Sequence, residues 1–133
     1  MSYKVLIVDD SKLARMAISK ILTALRPDWT RIEAANPDEA VAFFAASEPN
    51  IALLDFNMPG RDGFEVLNAL KSDEATQGIA VIMVTGQRSE GNIVAGLRQA
   101  DDYVTKPFGM GELVARINAV MRRVSNNARS HHG

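Results

Sequence analysis

Apolar residues in this chain alternate between short unbroken runs and longer stretches with helical spacing. Val5-Leu6-Ile7-Val8, Ile51-Ala52-Leu53-Leu54 and Ile79-Ala80-Val81-Ile82-Met83-Val84 are continuous runs bounded by turn-forming or charged residues, the signature of strands buried on both faces. Trp29 to Ala35 alternates more weakly and reads as an edge strand, and Tyr103-Val104-Thr105 reads as a short fifth strand. Between them lie helical patterns. Leu13, Met16, Ala17, Ile21 and Leu25 predict one apolar face for a helix from Ser11 to about Leu25, with Ser11 or a preceding acid as its cap. Pro37-Asp38-Glu39 opens a second helix to about Ala46, because proline and acids suit a first turn. Asp62-Gly63 introduces a third, carrying Phe64, Val66, Leu67 and Leu70. A fourth is expected over 90–98 with Ile93, Val94 and Leu97, and a fifth from about Met110 to Val124 with Leu113, Ile117, Val120 and Met121.

Strand then helix, five times over, predicts an α/β fold: a doubly wound, five-stranded parallel sheet covered on both faces. Right-handed crossovers leave few topologies, of which we expect the strand order 2-1-3-4-5. Residues 1–124 form the expected domain, and 125–133 read as a disordered tail whose Arg129-Ser130-His131-His132-Gly133 resembles a tag or linker remnant. No second domain is expected in 133 residues.

Composition narrows the function classes. The net charge of −1 gives no general attraction to nucleic acid or anionic membrane, and neither is an expected partner. The charge is uneven, since Arg116, Arg122, Arg123 and Arg129 stand in a segment without acids. That segment is either a solvated helix face or a docking patch for an acidic partner. With no cysteine there are neither disulfides nor thiolate metal sites. No apolar run approaches the ~20 residues of a membrane span, and the start lacks the layout of a secretory signal, so a cytoplasmic protein is expected.

The candidate chemistry gathers at one rim. In an open parallel sheet, ligands bind beyond the carboxyl ends of the strands, where the strand order reverses. The first strand ends in Asp9-Asp10, the third in Asp55, the fourth in Thr85, and the fifth runs into Lys106. Three ionised carboxylates repel one another unless a cation joins them. Oxygen ligands without His or Cys suit Mg²⁺ and disfavour zinc. A metal, an ammonium and a hydroxyl around a carboxylate nucleophile suit a phosphoryl group.

Asp9-Asp10, Asp55, Met58-Pro59-Gly60, Asp62-Gly63, Thr85-Gly86, Asp101-Asp102-Tyr103 and Lys106-Pro107-Phe108 together resemble the response-regulator receiver domain of two-component signalling. Asp55-Phe56-Asn57-Met58-Pro59 is most similar to the single-domain, CheY-like chemotaxis type. The resemblance covers about residues 4–124. It implies a flavodoxin-like fold with Asp55 as phosphoacceptor. Asp10 and Asp55 would bind Mg²⁺ directly, Asp9 through water, and Asn57 through its backbone carbonyl. Thr85 and Lys106 would hold the phosphoryl group, Pro107 would aim Lys106, and Tyr103 would be the switch aromatic that follows Thr85. The side chains of Asn57 and Gln87 would tune hydrolysis.

The implied function is a phosphorylation switch. A histidine kinase or histidine phosphotransfer protein would donate to Asp55. An effector protein would bind the face of the fourth helix, fifth strand and fifth helix, with the chain monomeric or weakly dimeric on phosphorylation. The chain would be no enzyme beyond its own phosphorylation and dephosphorylation. The alternative within the family is a phosphorelay intermediate or phosphate sink. Two readings from other classes fit less well. An aspartate-nucleophile phosphatase would carry a second acid where Asn57 stands, and a flavin module would not place Asp9-Asp10 beside a phosphate. One departure from the family stands out. Arg98-Gln99-Ala100 replaces the usual small-Gly-small run, and Gly91 and Gly96 each weaken the expected fourth helix by roughly 1 kcal/mol relative to Ala. A mobile or shortened helix and a shifted entry into the fifth strand are expected there.

Overall fold

The computed structural model describes residues 3–55, 63–74, 76–85, 100–105 and 109–132. In chain order the elements are β1 (Lys4–Val8), α1 (Lys12–Leu25), β2 (Thr30–Ala34), α2 (Pro37–Ser47), β3 (Ile51–Asp55), α3 (Gly63–Ser72), β4 (Ala80–Thr85), β5 (Asp102–Thr105) and α4 (Met110–His132). The five strands form one sheet in the order β2-β1-β3-β4-β5, every pair parallel. The expected fold and strand order are therefore observed. The helix expected over 90–98 lies outside the described residues, so α4 here is the C-terminal helix.

Strand alternation sorts the core into two layers. Val5 and Ile7, Ile51 and Leu53, and Ala80, Ile82 and Val84 pack with Ile18 and Leu22 of α1 and with Leu113, Val114, Ile117 and Val120 of α4. Their neighbours Leu6 and Val8, Ala52 and Leu54, and Val81 and Met83 pack instead with Ala40 and Phe44 of α2 and Val66, Leu67 and Leu70 of α3. All five residues of β3 are buried, as a central parallel strand covered by helices on both faces requires.

Local chemistry sets the element ends. Ser11 caps α1 by accepting the Ala14 N–H at 3.2 Å. Asn36 caps α2 by accepting the Glu39 N–H at 2.8 Å, and the Glu39 carboxylate reaches back to the Ala35 N–H at 2.7 Å, a reciprocal arrangement close to a capping box. Glu48 ends α2 in the left-handed region (φ 47°), and Pro49 prevents the helix from resuming.

Three sequence expectations need correction. The apolar face predicted for α1 is largely its outer face: Leu13 is 78 % exposed and Met16 and Leu25 are each 43 % exposed. The core is met by Ile18 and Leu22, with Ile21 packed against them. Helix α1 is apolar around much of its circumference, so Ile18 and Leu22 form a second stripe, and packing against β1 and α4 selects it over the predicted one. Trp29, the first residue of the expected edge strand, stands just before β2 and is only 3 % exposed. Its ring meets Tyr3 edge-on at 5.8 Å and lies 4.7 Å beneath the Arg26 guanidinium, an arrangement with aromatic and cation–π character. Finally, α4 continues to His132 rather than ending at Val124. Residues 125–132 contain neither glycine nor proline, so nothing local stops the helix before Gly133.

The reassigned face of α1 is directly testable. Leu22→Ala should lower stability by ~2–5 kcal/mol through a buried cavity, whereas Leu13→Ala should change it by less than ~0.5 kcal/mol. Urea denaturation of the two variants measures both. Equal losses would mean that the exposed stripe is part of the core.

Candidate metal and phosphoryl site

The site is built at the carboxyl ends of β1 and β3, which lie side by side in register, Val8 opposite Leu54. The next residue of each chain is an acid. Asp9 is 2 % exposed and Asp55 is 5 % exposed, while Asp10 faces solvent. One ligand oxygen from each of the three carboxylates lies within 4.8 Å of the others. At that separation two ionised, buried carboxylates repel by on the order of 3 kcal/mol at a typical protein dielectric. Such a group is stable when a cation or donors compensate it. The set contributes only oxygen atoms, it is partly open through Asp10, and it stands where strand order reverses between β1 and β3. These features fit a hard divalent cation that keeps some water ligands.

Backbone and side-chain contacts fix Asp9 tightly. Its N–H donates to the Ala34 carbonyl of β2 at 3.1 Å. Its Oδ1 accepts the Ser11 N–H at 2.9 Å, at the amino end of α1 where the helix dipole favours negative charge. Its carbonyl accepts from Arg15 Nη1 at 2.6 Å, and Arg15 Nε donates to Glu33 Oε1 at 3.0 Å. Sequence reading treated Ser11 only as a cap and passed over Arg15 and Glu33. The available signal was a basic residue one turn into the helix that follows Asp9-Asp10, facing an acid on the neighbouring strand.

The other expected site residues divide into placed and undescribed. Val84 pairs with Asp55, so the backbone of Thr85 sits one step beyond it at the same rim. Thr85 pairs with Thr105 at the end of β5, and Lys106 follows at the next position of the chain. Asn57, Gln87, Lys106 and Pro107 lie outside the described residues. Tyr103 pairs with Met83 and is partly buried against the layer that α2 and α3 cover.

The glycine-free joint before β5 is described from Ala100 onward. The Asp101 N–H donates to the Val81 carbonyl at 2.8 Å, and its Oδ2 accepts the Val81 N–H at 2.7 Å and Lys71 Nζ at 3.4 Å. Arg116 pairs with Asp102 at 3.1 Å, and Arg123 donates to the Asp101 carbonyl at 2.7 Å. An aspartate side chain thus closes the edge of β4 in the turn that leads into β5. Sequence reading had noted Asp101 and Asp102 only as family motif residues.

Comparison with known proteins agrees with this geometry. Residues 5–118 match the model of the response regulator receiver domain. The chain belongs to that family. It is 42 % identical over 120 residues to the phosphate regulon transcriptional regulatory protein PhoB of Pseudomonas aeruginosa, covering 90 % of this chain and 52 % of that one. It is 37 % identical over 126 residues to the transcriptional regulatory protein ResD of Bacillus subtilis, covering 94 % and 50 %. The chain therefore spans about half the length of these curated relatives. Among solved structures, a CheY-like receiver domain protein from Methanospirillum hungatei superposes with a TM-score of 0.87 at 28 % identity, over 96 % of this chain and 99 % of that one.

Among the described residues no helix is long and apolar enough to cross a membrane. The acidic group predicts a measurable linkage. A divalent hard cation, supplied as MgCl₂, should raise the thermal midpoint of the chain, by the equivalent of ~1.4 kcal/mol at tenfold its dissociation constant. The rise should be lost in Asp10→Asn. A midpoint that ignores MgCl₂ would argue that the three carboxylates are compensated from within the protein.

Proposed function

We propose that this receiver domain is a phosphorylation-operated switch whose acceptor is Asp55 and whose metal is Mg²⁺. The observation that carries this reading is the oxygen-only group of Asp9, Asp10 and Asp55 at the switch point of the sheet. A histidine kinase or histidine phosphotransfer protein presents a phosphohistidine at the rim. An Asp55 oxygen attacks phosphorus, the P–N bond breaks, and its electron pair returns to the donor imidazole. Mg²⁺ held at this site would supply positive charge to the phosphoryl oxygens. Asp10 and Asp55, with the backbone carbonyl of Asn57, would hold the metal, and Asp9 would act on it largely through water. Lys106 and Thr85 receive the phosphoryl oxygens, and Asn57 and Gln87 influence how long the adduct lasts. Movement of Thr85 toward the phosphoryl group favours one position of Tyr103, which shifts a pre-existing equilibrium. The domain turns over no external substrate, and the compartment implied by its donor is the cytoplasm.

The output is protein binding on a face that includes β5 and α4. Which pathway this serves is a separate matter. Similarity to the chemotaxis type rests on the Asp55–Pro59 segment. The curated relatives are named transcriptional regulators instead, and they favour an output in transcription control, so that nucleic acid becomes an indirect partner. Leu13 and Met16, exposed on α1, the helix that follows Asp10 in the chain, suit an apolar contact with the phosphodonor.

Incubation with acetyl phosphate and MgCl₂, followed by intact mass measurement, tests the acceptor. One phosphoryl adduct is expected on the parent chain, none on Asp55→Asn, and none on either after chelation. An unmodified parent chain would refute the switch reading.

A further inference from the structure

We propose that Arg15 is a positioning residue for the acidic centre, setting how tightly the three carboxylates hold a divalent cation. This rests on the metal-site reading of Asp9, Asp10 and Asp55. The carbonyl that Arg15 holds belongs to the peptide joining Asp9 to Asp10. That peptide is planar, so fixing its oxygen fixes the plane between the two acids. The side chain of Asp9 is buried and anchored by the Ser11 N–H. Asp10 is exposed, so its aim depends on the backbone that precedes it. Arg15 grips that backbone from the first turns of α1.

The guanidinium makes this contact as one arm of a fork. Nη1 reaches Asp9 on the end of β1, and Nε reaches Glu33 on the edge strand β2. Glu33 adjoins Ala34, whose carbonyl takes the Asp9 N–H. Arg15's two contacts and the Asp9–Ala34 bond therefore tie α1, the end of β1 and β2 together. The Arg15 side chain is 14 % exposed and that of Glu33 43 %. An ion pair that open contributes little stability by itself, whereas a charge-assisted bond to a buried residue's carbonyl is both short and directional. Glu33 also cancels the charge of Arg15, so the arginine can stand near the carboxylates without weakening their attraction for a cation. A planar fork serves two acceptors at fixed angles, and a lysine ammonium is not its equivalent.

Amide NMR titration of the full chain with MgCl₂ gives the dissociation constant without reference to phosphorylation. Arg15→Met should bind about tenfold more weakly, within the range seen when groups supporting metal ligands are removed. Arg15→Lys should bind about threefold more weakly, because it keeps the charge and loses the fork. Circular dichroism shows which variants are folded. If Arg15→Met does not fold, Arg15→Lys decides. A folded variant of either kind that binds Mg²⁺ within twofold of the parent would overturn the proposal, because a purely stabilising role moves the melting midpoint and not the affinity of folded protein. A parent chain that binds no Mg²⁺ would instead remove the metal-site reading, and this assignment with it.

Discussion

The mutual repulsion of carboxylates at the end of two buried strands is the constraint around which this domain is arranged. Strand β3 is buried along its whole length and terminates in Asp55, while β1 beside it terminates in the buried Asp9. Hydrophobic burial fixes both strands at the centre of the sheet, so neither acid can withdraw to solvent. The surroundings respond at Asp9, where the Ser11 N–H at the amino end of α1 donates to the carboxylate and Arg15 holds the following carbonyl. They also bring Asp10 within 4.8 Å, which adds to the repulsion unless a cation is bound. A site that gathers a third acid is organised to attract positive charge.

The helices have unequal duties around that site. Helices α2 and α3 bury one face of the sheet. On the other face, α1 and α4 share the cover, and Arg26, which caps the end of α1, reaches Asn118 of α4 at 3.4 Å while stacking on Trp29. The end of the molecule opposite the acids is therefore closed by an aromatic cluster, and α1 links the two ends. Its first turn touches the acidic centre and its last turn touches the base. This explains why α1 can carry an apolar outer stripe at Leu13 and Met16 and still be held firmly by a few residues on its inner side.

At the far edge of the sheet from β2, β5 is an edge strand entered through Asp101 and Asp102. Both aspartates are engaged, the first by Val81 and Lys71 and the second by Arg116. The basic residues of α4 are thus partly consumed within the domain. Arg116 and Arg123 both bind the entry to β5, which narrows the docking-patch reading of the arginine-rich segment. Tyr103 follows directly, opposite Met83 and two residues before the Thr105 that pairs with Thr85. The register alone connects the phosphoryl rim to the aromatic residue proposed to report on it.

Strand composition and the acids at strand ends were legible from the chain because both are local. An apolar run such as Ile51–Leu54 has one stable environment, the middle of a sheet, and right-handed crossovers then restrict how such strands are ordered. From these, the fold, the strand order and the gathering of Asp9, Asp10 and Asp55 follow. The inner face of α1 was not legible, because Leu13 and Met16 are as apolar as Ile18 and Leu22, and only the approach of β1 and α4 distinguishes the two stripes. Nor were the roles of Arg15, Glu33, Lys71 and Asp101, whose partners lie on other elements and answer to no periodicity. The sequence by itself determined which strands must be buried and which charges must share a rim. Tertiary structure decided how those charges are held, since a hydrogen bond between elements depends on a register and a helix orientation that no single segment contains.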